Sequence, residues 1–142
     1  GAVFIASEFI KSGTVVSQVN SDGTKQDYPV VRTGRLLTIP LMVLMNKGSA
    51  SASEIVSGAL RDYKRAKLVG ETSFGKGSVQ TPQDLSGGAS LHVTTGKWLL
   101  PKGDWINKVG VAPDVEVKMD PSAEGEATAD AQLAKAVELL LE

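Results

Sequence analysis

Three serines crowd one stretch, Asn46-Lys47-Gly48-Ser49-Ala50-Ser51-Ala52-Ser53-Glu54, and a serine hydroxyl becomes a nucleophile only with a base beside it. Histidine is the usual base, and the chain has one. His92 lies in a strand-like pattern with no serine-bearing turn near it in sequence, which reads more simply as a structural residue than as a triad member. The other known base is a lysine whose ammonium is destabilised by burial, leaving a neutral amine at working pH. Lys76 has suitable neighbours: Gly75 and Gly77 flank it, Phe74 precedes it, and Gln80 can hydrogen-bond the amine without adding a charge. Its alternative reading is an exposed loop lysine.

Ser49, Ser51 and Ser53 compete for the nucleophile's place. They precede a helical pattern, where free backbone N–H groups and the helix dipole favour a developing oxyanion. Ser51-Ala52-Ser53-Glu54 also matches the capping box, in which the cap serine bonds the third helical amide and Glu54 reaches back to the cap amide. A cap alone does not require the small residues Gly48, Ser49 and Ala50, which leave room for an approaching chain.

These residues need elements to hold them. Val3, Phe4, Ile5, Phe9 and Ile10 are spaced as on a helix ending near Ser12, with Gly13 as its stop. Thr14–Val19 and Tyr28–Thr33 predict a hairpin around the turn cluster Asn20-Ser21-Asp22-Gly23, with Pro29 marking an edge. Leu41–Met45 is a short apolar run expected to be a strand buried on both faces. Ile55, Val56, Ala59, Leu60 and Tyr63 carry the helix after the serines. Lys67–Val69 and Gly77–Thr81 read as short strands around a glycine-rich loop, Ser90–Leu100 as the longest strand, and Val115 and Val117 as a last edge strand. Asp120–Asp130 is acidic and proline-bearing, a linker pattern. Asp130 then caps a helix with Leu133, Ala136, Val137, Leu140 and Leu141 on one apolar face.

The 142 residues are one domain's length, 42% apolar and 22% charged, enough for a core without staples. The absence of cysteine excludes thiol nucleophiles, thiolate zinc sites and iron–sulfur clusters, and says nothing of compartment. Fifteen Lys and Arg against sixteen Asp and Glu, with the basic residues scattered, argue against nucleic acid as a partner. The longest nearly apolar run, Leu36–Met45, is broken by Thr38 and Pro40 and is far short of the roughly 20 residues of a membrane span. Gly1–Phe9 does not have the order of a secretory signal, and the chain opens directly in a helix, so it is expected to be a portion of a longer protein.

The block from Asn46 through Glu54 to Leu60, followed by Gly70-Glu71-Thr72-Ser73-Phe74-Gly75-Lys76-Gly77-Ser78-Val79-Gln80, resembles the carboxyl-terminal processing proteases, or tail-specific proteases, which are Ser/Lys peptidases of the S41 type. The likeness continues through Leu91–Pro101 and Gly110-Val111-Ala112-Pro113-Asp114. It implies an α/β fold with a crotonase- or Clp-protease-like core of stacked ββα units, incomplete here because the N-terminal strands, a glycine-rich turn lending a second oxyanion amide, and a PDZ domain are expected upstream. Residues 1–119 would then be part of the catalytic core and 120–142 an acidic linker and C-terminal helix. Carried over position by position, Ser51 is the nucleophile, Lys76 the general base, Gln80 the residue orienting it, the Ala52 amide an oxyanion donor, and Glu54 a supporting cap. The implied activity is a serine endopeptidase cleaving proteins near their C-terminus through an acyl-enzyme, with no metal and no cofactor. Its implied partners are proteins or peptides with an accessible C-terminal tail, and its implied location is the periplasm or cell envelope, or the plastid equivalent. The resemblance leaves homo-oligomerisation open. The competing readings are a non-catalytic peptide-binding or scaffold domain on the same fold, and a crotonase-type acyl-CoA enzyme suggested by fold alone.

Overall fold

A computed structural model describes residues 1–119 and 130–142. Two sheets of different kinds share it. A four-stranded antiparallel sheet runs in the order β2 (Lys25–Pro29), β1 (Thr14–Asn20), β6 (Ser90–Leu99), β5 (Ser78–Asp84). A three-stranded parallel sheet runs β3 (Met42–Met45), β4 (Lys67–Gly70), β7 (Val115–Glu116). Helices α1 (Ala2–Ala6), α2 (Ala52–Asp62) and α3 (Ala131–Leu141) complete a mixed α/β fold.

The parallel sheet requires a crossover between β3 and β4, and α2 supplies it. Its buried side, Ile55, Ala59 and Leu60, packs with Ala6 and Ile10 of the first segment and Val15 and Val16 of β1. A second cluster, Met45, Leu68, Leu100, Ile106 and Val111, lies on the parallel-sheet side. Leu68 and Val69 are fully buried, as central parallel strands demand.

Several boundaries differ from the sequence reading. The first helix closes at Ala6, and the chain continues to Ile10 as turns, with Phe9 N–H and Ile10 N–H both donating to the Ala6 carbonyl. The second hairpin strand is Lys25–Pro29 and not Tyr28–Thr33, because the turn is tight: Gly23 N–H donates to Asn20 C=O and Asn20 N–H to Thr24 C=O. β3 is not buried on both faces; as an edge strand it leaves Leu44 43% exposed. Leu91 and Val93 of β6 are likewise exposed, because the outer part of the β5–β6 hairpin extends past the core. Asp130 caps α3 as expected, its Oδ1 accepting Leu133 N–H at 2.9 Å. The face of α3 that packs is another matter. Gln132 and Ala136 are buried against the β3–β4 side, and Leu133, Val137, Leu140 and Leu141 are exposed. The expected linker falls mostly on residues 120–129, outside the described residues.

Candidate active site

β3 delivers the chain into the serine stretch, and α2 begins immediately after it. The three serines are in different situations. Ser49 Oγ accepts Asn46 N–H at 3.2 Å, and Ser53 Oγ donates to Ala50 C=O at 2.7 Å. Ser51 opens α2 in a capping box with Glu54, whose carboxylate accepts the Ser51 amide. Ser51 also stands at φ 55° and ψ −111°, a conformation costing an L-residue of order 1–3 kcal/mol. A serine held in a strained turn between a strand and a helix is how a fold presents a nucleophile. Ala52, exposed at the first position of α2, carries an amide that makes no hydrogen bond among the described residues.

Glu54 is completely buried and collects four donors. Its Oε2 accepts the Ser51 amide at 2.7 Å and the Lys76 amide at 2.9 Å. Its Oε1 accepts the Ser73 hydroxyl at 2.5 Å and the Gly75 amide at 2.6 Å. Two nitrogens bonded to one oxygen cannot be farther apart than the sum of those bonds, so the backbones of Ser51 and Lys76 are neighbours. Phe74 N–H donates to Ser49 C=O at 2.9 Å, and Lys47 pairs with Glu71 at 3.2 Å, so the two loops also meet at two further points.

The lysine loop is strapped from its other side by residues 105–111. Ser73 Oγ accepts Val111 N–H at 2.7 Å, Lys108 N–H donates to Gly75 C=O at 2.8 Å, and Trp105 Nε1–H donates to Gly77 C=O at 3.0 Å. No side chain fits at the two flanking glycines. A Cβ on Gly75, whose φ is +87°, would lie 2.9 Å from Gly110 N, and one on Gly77 would lie 2.6 Å from Asn107 N. The side chains of Lys76 and Gln80 are exposed, so the water-excluded amine expected from the sequence is not formed by the described residues alone. Gln80 sits on β5 opposite Thr94, just past an irregularity in the ladder after Val79. His92 is exposed and paired with Pro82 on the same hairpin, within neither loop of the site.

Beside Ser51 and Ala52 opens a cavity of about 540 Å³, walled by Val16, Ile55, Tyr28 and Trp98 and by α1. The Tyr28 and Trp98 rings meet edge to face at 5.9 Å, which fixes that wall. No group of three or more metal-ligating side chains occurs among the described residues, and no helix among them is long and apolar enough to cross a membrane.

Residues 1–117 match peptidase family S41 over most of the chain. This chain belongs to that family. It is 43% identical over 139 residues to the carboxyl-terminal-processing protease of Synechocystis sp., covering 96% of this chain and 32% of that protein. It is 42% identical over 119 residues to the chloroplastic C-terminal processing peptidase of Tetradesmus obliquus, covering 84% of this chain and 25% of the relative. The solved photosystem II D1 C-terminal processing protease superposes with a TM-score of 0.76 at 41% identity, over 82% of this chain and 30% of that one. The S41 chain thus spans about a third or less of the length of these relatives. The sequence anticipated the capping role of Glu54, and the structure brings the serine and lysine loops together. Sequence reasoning did not find Glu54 as the joint between the loops, nor Ser73 and Trp105 as its extensions. The resemblance through Gly110–Asp114 was the one signal near them: Asp114 locks that stretch to β4, its Oδ2 accepting Leu68 N–H at 2.7 Å.

Proposed function

We propose that this chain is the nucleophile- and base-bearing part of a serine endopeptidase that cleaves proteins near their C-terminus, with Ser51 as nucleophile and Lys76 as general base. The observation that carries the reading is the single Glu54 oxygen accepting both the Ser51 and the Lys76 amides, which sets the two loops side by side. In the first half-reaction the neutral Lys76 amine takes the Ser51 Oγ proton as Oγ attacks the scissile carbonyl. The Ala52 amide receives the tetrahedral oxygen, and the lysine ammonium returns its proton to the leaving amine. Water, deprotonated by the same amine, then hydrolyses the ester and regenerates Ser51. Gln80, close along β5, orients the amine once substrate and the remainder of the protein cover the exposed loop. The apolar cavity beside Ser51 suits an apolar side chain on the acyl side of the cut, with the substrate's backbone extended along a strand edge.

The fold is read as a crotonase- or Clp-protease-like core completed by strands, a second oxyanion amide and a PDZ domain elsewhere in the protein. An extracytoplasmic or plastid setting is part of this reading, and one of the named relatives is chloroplastic. The strained Ser51 backbone favours catalysis over the scaffold reading, since a plain cap takes an ordinary extended conformation. The test uses the intact protein, a peptide carrying a C-terminal tail and a serine-directed fluorophosphonate. Labelling and cleavage are expected in the wild type, with both lost in Ser51→Ala. Lys76→Ala is expected to lose cleavage by at least about 100-fold at unchanged unfolding free energy, since its side chain is exposed. Full turnover in either variant overturns the assignment.

A further inference from the structure

The tripeptide Gly75-Lys76-Gly77 is held on its amide side by the Glu54 carboxylate, which takes the Gly75 and Lys76 N–H groups. On its carbonyl side Gly77 C=O accepts two donors, the Trp98 amide at 2.9 Å and the indole Nε1–H of Trp105 at 3.0 Å. The Trp98 amide is a backbone group that any residue there would supply. The indole is the one side-chain donor on that side among the described residues, and it arrives from a different segment. That segment is itself fixed. Leu100 N–H donates to Asp104 C=O at 3.0 Å, Gly103 N–H to Leu100 C=O at 2.8 Å, and Trp105 bridges to Leu99. The Lys97 ammonium lies 5.2 Å from the indole centroid and braces the ring from above. Trp105 remains 49% exposed, so burial of the ring is only part of what it contributes, while its N–H is spent inward on the residue after the lysine.

We propose that Trp105 is a positioning residue for Lys76: its indole N–H, bonded to the Gly77 carbonyl, clamps the lysine segment from the side opposite Glu54 and so fixes where the amine can reach. This rests on the reading of Lys76 as the base. A base displaced by a fraction of its reach loses rate without losing substrate, which separates this role from binding.

In the intact protein, Trp105→Phe keeps an aromatic ring and removes the N–H. The expected result is a fall in kcat of about tenfold at unchanged KM for a C-terminal-tail peptide. Amide hydrogen exchange is expected to quicken in the peptide spanning 74–80 and to stay the same in α2. A finer pair places 5-fluorotryptophan, which keeps the N–H, or benzothienylalanine, which lacks it, at position 105. The first should match the wild type, and the second should reproduce the loss. Unchanged kcat with benzothienylalanine overturns the proposal, as does a loss with either variant that comes with faster exchange throughout the molecule or with an equal rise in KM. Ser51→Ala serves as the reference. If it retains full turnover, the protease reading falls and the role of Trp105 with it. If it is dead while the Trp105 variants are wild-type, only the positioning role falls.

Discussion

A buried carboxylate with four donors and, among the described residues, no opposite charge in contact is stable only because its lone pairs are taken by those donors. Glu54 therefore has two jobs that cannot be separated, starting α2 and tying the lysine loop to it. Glu54→Gln would present two amide hydrogens toward groups that are themselves donors, so at least one of the four is left without an acceptor. The variant is expected to lose about 2–4 kcal/mol of unfolding free energy, measured by urea titration. Activity should fall further than the fraction unfolded explains, because Ser51 and Lys76 lose their common anchor. The serine and lysine stretches were legible in the sequence as two long motifs, from which the roles of Ser51 and Lys76 are proposed. The importance of Ser73 and of Trp105 was not, since it comes from segments that approach one another only in the fold: Ser73 reaches Val111, and Trp105 reaches Gly77.

Among the elements, strands were read more reliably in position than in burial. The pattern of β-branched and apolar residues placed β1, β3, β4 and β6 close to where they lie, since period and turn residues act locally. Which face is covered depends on neighbours that a pattern does not name, and Leu44, Leu91 and Val93 are exposed for that reason. The β1–β2 hairpin has a local electrostatic lock of its own. The Ser17 hydroxyl donates to Asp27 Oδ1 at 2.5 Å and Lys25 pairs with the same oxygen at 3.0 Å, together holding the Asp27 carboxyl below its ordinary 3.8. Asp22 is also held low, first by the Thr24 hydroxyl and then by the Thr24 amide. A depressed carboxyl favours the folded hairpin fully above its ordinary value, and that preference drains away as the pH drops through the lower, folded value. Hydrogen exchange in β2 should therefore speed up, after correction for intrinsic rates, on going from pH 5 to below 3.8, and Asp27→Asn should remove most of that dependence.

For the whole molecule, closure depends on residues far apart in the chain. α3 lies against β3 and β4, and Gln132 Nε2 donates to Val117 C=O at 2.8 Å just beyond β7. Because the buried positions are Gln132 and Ala136, replacing Leu133 and Val137 together by lysine should leave stability within about 0.5 kcal/mol. Ala136→Leu should cost about 1–3 kcal/mol by overfilling a closed contact, both read from urea midpoints. The reverse ranking would show that the apolar stripe is the packed face. A practical consequence follows from one oxygen of Glu54 receiving the backbones of both loops. Anyone recombining this protein with a homologue cannot exchange the serine stretch or the lysine stretch singly, because a donor loop cut to a different length would arrive out of step with its counterpart. The transferable unit is the pair, taken with the 105–111 strap that backs it.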